Sequence, residues 1–146
     1  MCTANYNTEM RFRTRAWALL VAIVAAPTLQ GQTYPSGWRI PENARDETSP
    51  LQPTPDVLKK GKSIYDSKCA KCHGPQGKGN GPDGDKEHPP ADLTDASRAP
   101  RNPDGILFYK VWNGRKQPEM PAFKSDLSKD EVWAVVEYAK SLRQQD

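Results

Sequence analysis

Five consecutive residues, Cys69-Ala70-Lys71-Cys72-His73, constrain this 146-residue chain more than any other feature. Two thiols three positions apart fall on one helical turn, and an imidazole follows at once. In that order each thiol can add to one vinyl group of a porphyrin, giving two thioethers, while the imidazole projects beneath the ring toward the iron. The pattern predicts one covalent haem c, attached through Cys69 and Cys72 and ligated by His73. Competing chemistries need partners that the sequence does not offer. A structural zinc site takes four ligands, commonly a second Cys or His pair, yet the only other histidine is His88 and the only other cysteine is Cys2. A thioredoxin-like dithiol needs a strand–helix context, which is missing here. A Cys69–Cys72 disulfide is conceivable in an oxidising compartment; the histidine directly after Cys72 points to haem instead.

The compartment is suggested by the first 32 residues. Arg11, Arg13 and Arg15 form a basic stretch, Ala16 to Ala26 an apolar run of 11 residues, and small or polar residues follow. A run of that length falls short of the roughly 20 residues needed to span a bilayer, so residues 1–32 read as a cleaved signal peptide rather than an anchor. Met10 stands just before the arginines and offers an alternative start, with residues 1–9 an over-extension. The expectation is a periplasmic or otherwise exported protein with no stable membrane span once the signal is removed. Three of the 21 basic and one of the 18 acidic side chains lie in this segment, leaving 18 and 17 on the remainder. So balanced a charge points neither to nucleic acid nor to an anionic membrane.

Residues 33–55 form a proline-rich arm containing Pro35, Pro41, Pro50, Pro53 and Pro55. The residue before each proline is biased away from helix, so the arm reads as extended. Trp38 and Ile40 could pin it to the domain; otherwise it is a tether. Residues 56–146 form one domain. A helix is predicted from Pro55 to about Ala70, capped by Asp56, with Val57, Leu58, Gly61, Ile64 and Tyr65 at three- and four-residue intervals. Residues 74–104 are rich in turn formers, and so long a loop in a small domain fits one that wraps a cofactor. A second helix spans Asp104 to Trp112 and stops at Asn113-Gly114. A third is predicted from a capping box, Ser128 with Glu131, followed by the apolar stripe Val132, Val135, Val136, Ala139 and Leu142. No strand is predicted.

A second axial ligand is expected downstream of His73. Met120 is the only methionine left after the signal, 47 residues beyond His73. A thioether is soft and neutral, and it favours the reduced iron more than a second imidazole does. His88, in His88-Pro89-Pro90, is the rival.

Taken together, residues 56 to 143 resemble the mono-haem class I c-type cytochromes of the bacterial periplasmic type. Gly61 and Tyr65, with Tyr138, match the small residue and aromatics where the first and last helices of that family cross. Pro89-Pro90-Ala91-Asp92-Leu93 resembles the proline segment whose backbone carbonyl accepts the proximal histidine's Nδ1–H, with Pro89 and Pro90 both candidates. Glu119-Met120-Pro121-Ala122-Phe123 resembles the methionine loop. The resemblance implies an all-α cytochrome c fold, three or more helices wrapped around one covalent haem with long loops. It implies cofactor-binding roles for Cys69, Cys72, His73, Met120 and Pro90, with iron held by His73 and Met120, and Arg115 placed to contact a haem propionate. Trp133 is expected to cover the last helix rather than face the haem.

Iron ligated on both faces leaves no open position for a substrate, so the expected function is not enzymatic. It is a single-electron carrier that meets redox protein partners briefly. Two alternatives differ in class: an electron-relay subunit of a larger dehydrogenase or oxidase complex, with the arm as docking element, and a gas-binding haem sensor in which a ligand displaces Met120.

Overall fold

A computed structural model describes residues 32–33 and 37–144. The predicted signal peptide, residues 1–32, therefore lies outside the described residues apart from Gln32. The architecture is helical: α1 (Pro55–Lys68), a single-turn α2 (Ala70–His73), α3 (Asp104–Asn113) and α4 (Lys129–Ser141), joined by long loops.

The start of α1 differs from expectation. Thr54, not Asp56, is the cap: its Oγ1 accepts from the Val57 amide at 3.3 Å. The reason is local. Pro55 has a fixed helical φ and no N–H to satisfy, so it suits the first helical position, and the residue before it is driven extended. Thr54 accordingly has φ −69 and ψ 159. Asp56 falls in the first turn, where its charge faces the positive helix end. The helix also breaks at Cys69 instead of continuing to Ala70, and α2 closes on Gly74 at φ 79, a conformation that favours glycine. The last helix begins as expected, with the Ser128–Glu131 capping box formed in both directions.

α1 crosses α4 at Gly61. A Cβ there would collide with the Ala134 carbonyl oxygen and lie 2.8 Å from the Tyr138 Cβ, so only glycine permits this backbone approach. One turn on, the Tyr65 and Tyr138 rings meet with centroids 5.3 Å apart. α3 packs on the other side of α4, with Phe108 stacked on Trp133 at 4.3 Å. Trp133 is thus buried between α3 and α4.

The arm is ordered wherever it is described. Trp38, Ile40 and Ala44 are buried against Ile106 of α3, Ser49 N–H donates to Asp104 Oδ2 at 3.2 Å, and Arg45 donates to the Pro100 carbonyl. It also carries a feature that was not expected: β1 (Gln32–Thr33) pairs antiparallel with β2 (Arg39–Ile40), Gln32 opposite Ile40. Two-residue strands leave no alternation in a sequence to read. Among the described residues, no helix is long and apolar enough to cross a membrane.

Candidate haem site

The Cys69–His73 turn is fixed by its own backbone and by the loop after it. Cys69 N–H donates to Tyr65 O at 2.8 Å and His73 N–H to Cys69 O at 2.9 Å. The carbonyls left over at the end of this short helix are taken up by the glycine-rich loop, which turns back over them: Gly79 N–H donates to His73 O, Gly81 N–H to Cys72 O and Asp83 N–H to Lys71 O. A Cβ at Gly81 would collide with the Lys71 carbonyl, so the glycine is what lets the loop lie this close. From below, the buried Tyr65 hydroxyl donates to the Gly74 carbonyl at 2.6 Å. Burial raises the Tyr65 phenol pKa well above its ordinary value, so the proton it donates is retained.

Cys69 and Cys72 are both half-buried free thiols. Burial pushes the Cys69 thiol up to about 12, with Cys72 adding to the effect. A protonated thiol is a poor metal ligand and a poor partner for disulfide exchange, which argues against a dithiol redox pair.

His73 is half-buried, with Nδ1 3.1 Å from the Ala91 carbonyl oxygen. That carbonyl can only accept, so Nδ1 carries the proton and Nε2 keeps its lone pair. Burial lowers the imidazole pKa while the Ala91 bond opposes it, and the neutral form a metal needs is favoured. Here the structure corrects an expectation: the accepting carbonyl belongs to Ala91, not to Pro89 or Pro90. The two prolines direct the chain toward the histidine, but the loop is registered by Leu93 N–H on Gly77 O at 2.7 Å. That bond brings Ala91 over the ring. Pro90, one residue away, instead sets its carbonyl against Gly79, where a Cβ would collide with it.

Met120 lies half-buried at one end of a turn closed by two backbone bonds with Arg115, N–H to O at 2.8 and 2.9 Å. Its side chain packs with Tyr109 against the Trp38–Ile40–Ala44–Ile106 cluster. Arg115 Nε donates to Pro118 O at 2.7 Å, and its guanidinium sits 4.7 Å over the Trp38 ring. The same indole is approached by a residue the sequence had not suggested: Lys110 Nζ is 5.3 Å from its centroid and 2.6 Å from Asn102 Oδ1. Burial, then the nearby Arg115 and Arg98, push Lys110 down to about 8. The only sequence signal for this cluster was the apolar pair Trp38 and Ile40 in the arm. The rival ligand His88 is exposed and 3.6 Å from Asp85. A cleft of about 580 Å³ separates its loop from the turn bearing Lys116 and Glu119.

The donor set therefore fits a haem c: two thiols on one turn, an oriented imidazole beside them, and a glycine loop folded against their backbone. Residues 56–138 match the family model described as cytochrome c oxidase, cbb3-type, subunit III. The chain belongs to that family of c-type cytochromes. It has the all-α cytochrome c fold and carries covalently bound haem c, one group in a domain of this size, and it is an electron-transfer protein. Among solved structures, this cytochrome is similar to a chain of the Kuenenia stuttgartiensis reducing HAO-like protein complex, with 35% identity and a TM-score of 0.56 over 64% of this chain and 46% of that one. It is also similar to cytochrome cL of the methylotroph Methylophaga aminisulfidivorans, with 28% identity and a TM-score of 0.48 over 62% of this chain and 59% of that one. The cytochrome thus spans about half the length of these relatives. No curated protein matches it.

Proposed function

We propose that this cytochrome is an exported single-electron carrier whose haem is tethered by Cys69 and Cys72 and ligated by His73 and Met120. The observation that carries the reading is the His73 geometry, an imidazole with Nδ1 committed to Ala91 and Nε2 left for iron. When bound, the haem supplies a one-electron Fe(II)/Fe(III) couple. The protein's part is to hold that couple still. The Ala91 carbonyl fixes the His73 ring plane and makes it a stronger donor. Tyr65 and the glycine loop keep the Cys69–His73 turn rigid, and the Arg115–Met120 turn presents the thioether. A second ligand with no vacant position favours outer-sphere transfer over catalysis, since neither oxidation state needs a new bond. On this reading Arg115 donates to a propionate and Pro90 lines the proximal side, and the division of the chain is residues 1–32 signal, 33–55 arm and 56–146 haem domain.

The deciding measurement is the absorption spectrum of the oxidised holoprotein. A weak near-infrared sulfur–iron charge-transfer band is expected. It should vanish in Met120→Ala while the porphyrin mass stays attached. Persistence of the band in that variant would rule out Met120.

The likeness to a chain of the Kuenenia redox complex favours a second reading, a relay subunit within a larger assembly. Size-exclusion of native extract separates the two: a carrier elutes near its own mass and a relay with its complex.

A further inference from the structure

The arm before the haem domain meets the methionine turn at three separate places. Gly37, at φ 76, sets its Cα where a Cβ would be 3.5 Å from the Gln117 carbonyl oxygen. Trp38 lies under the Arg115 guanidinium, 4.7 Å from ring centroid to Cζ. Trp38, Ile40 and Ala44 form the cluster against which Met120 and Tyr109 pack, and Ile106 is its one fully buried member from the haem domain. The arm is itself locked to α3, because Gly105 leaves no room for a Cβ between it and the Ala44 carbonyl. Within the domain, two backbone bonds close the turn, Arg115 Nε bonds to Pro118 inside it, Gly114 packs closely on the Met120–Ala122 backbone, and Phe123 N–H to Val111 O and Lys124 N–H to Trp112 O follow it.

From this arrangement we infer that the 37–44 segment is a positioning element for the sixth iron ligand: Trp38 and Ile40 supply the apolar wall that holds Met120 in place. The inference rests on Met120 being that ligand. A buried indole contributes far more contact area than the rest of the cluster, and a turn closed by two backbone bonds has little stability of its own. Removing the indole takes the wall from behind the thioether and the platform from beneath Arg115 together. The methionine turn then samples positions away from the iron, and the population with an open sixth site rises.

The experiment uses full-length, haem-loaded protein in four forms: wild type, Met120→Ala, Trp38→Ala and Val132→Ala. The last removes packing between α3 and α4, away from the methionine turn. Readouts are the near-infrared band, the rate of carbon monoxide binding to the reduced protein, and the urea midpoint. The wild type should show the band, and Met120→Ala should not; any other result there overturns the ligand assignment, independently of the arm. Trp38→Ala should weaken the band and bind carbon monoxide about tenfold faster or more. Val132→Ala should lower the urea midpoint with the band intact. An unaltered band and carbon monoxide rate in Trp38→Ala, or equal band loss in Val132→Ala, would overturn the inference. Should Trp38→Ala not mature, Trp38→Phe takes its place, with a partial change in the same direction expected and no change counting against.

Discussion

At the scale of single residues, the site depends on atoms that are not ligands. Tyr65 is 1% exposed, and its hydroxyl is the donor to the Gly74 carbonyl at the end of the His73 turn. Tyr65→Phe keeps the ring against Tyr138 and deletes only that donor, while the Gly74 carbonyl still accepts from the Gly77 amide at 3.1 Å. The cost of losing one such bond is about 0.5–1.5 kcal/mol. A lowered urea midpoint with an unchanged slope is the expected result; an unchanged midpoint would mean that water replaces the hydroxyl. Because Tyr65 is placed by Gly61 one turn earlier, this pair was visible in the sequence as a small residue and an aromatic at helical spacing. The Ala91 carbonyl was not. Two prolines mark where a loop must run extended, but which carbonyl faces an imidazole is set by a long-range bond, Leu93 to Gly77, that no local pattern encodes. Lys110 was hidden for the same reason: its burial arises from the arm, which is remote from it in sequence.

At the scale of elements, α4 is the helix whose start the sequence stated most clearly, and its cap makes a pH-dependent prediction. Ser128 Oγ accepts from the Glu131 amide, and the Glu131 carboxylate accepts from the Ser128 amide at 2.9 Å and from its hydroxyl. These two Ser128 bonds hold the Glu131 pKa below its ordinary value of 4.5. A depressed carboxylate stabilises the folded state above its unfolded pKa, and that stabilisation is lost as pH falls through the folded one. Stability should therefore drop on acidification below about pH 4.5, the ordinary value. Glu131→Gln, which can still accept from the Ser128 amide but carries no charge, should flatten that part of the profile, lying below wild type at pH 7 and converging with it in acid. Ser128→Ala should cost about 1 kcal/mol at pH 7 and less in acid, because it also deletes the hydroxyl bond to the Glu131 carboxylate. Urea midpoints across pH 3–7 check both, and an acid profile in Glu131→Gln identical to wild type would refute the first. Helices marked by caps and periodicity were legible: Ser128 opened α4, and Asn113-Gly114 closed α3. What was not legible followed from competition. Pro55 displaced Asp56 from the cap of α1, and the two-residue strands of the arm are too short to carry a period.

At the scale of the whole molecule, most buried apolar side chains among the described residues gather in three clusters: Trp38, Ile40, Ala44 and Ile106 under the arm; Tyr65, Val135, Tyr138 and Leu142 at the α1–α4 crossing; Phe108, Val132, Trp133 and Val136 between α3 and α4, with Val111 packed against the last two. A domain of this size buries a smaller fraction of its chain's surface than a large one does, and dividing that among three groups weakens each further. Cys69 packs at the edge of the second cluster and Met120 at the edge of the first. A rigid apolar plate bonded near one and touching the other would join them into a single interior. The composition agrees with this, with 14 prolines in the chain and few large aliphatic residues in the domain. The double variant Cys69→Ala/Cys72→Ala, freed of porphyrin, should therefore keep part of its far-ultraviolet helical signal, because α1 and α4 are locally capped and cross directly. It should lose its near-ultraviolet aromatic signal and bind a hydrophobic dye, because the clusters are no longer tied together. Its urea transition should move to lower concentration and broaden. A sharp transition at the holoprotein's midpoint, with the aromatic signal intact, would mean that the polypeptide closes its own core and that the cofactor serves only for electron transfer.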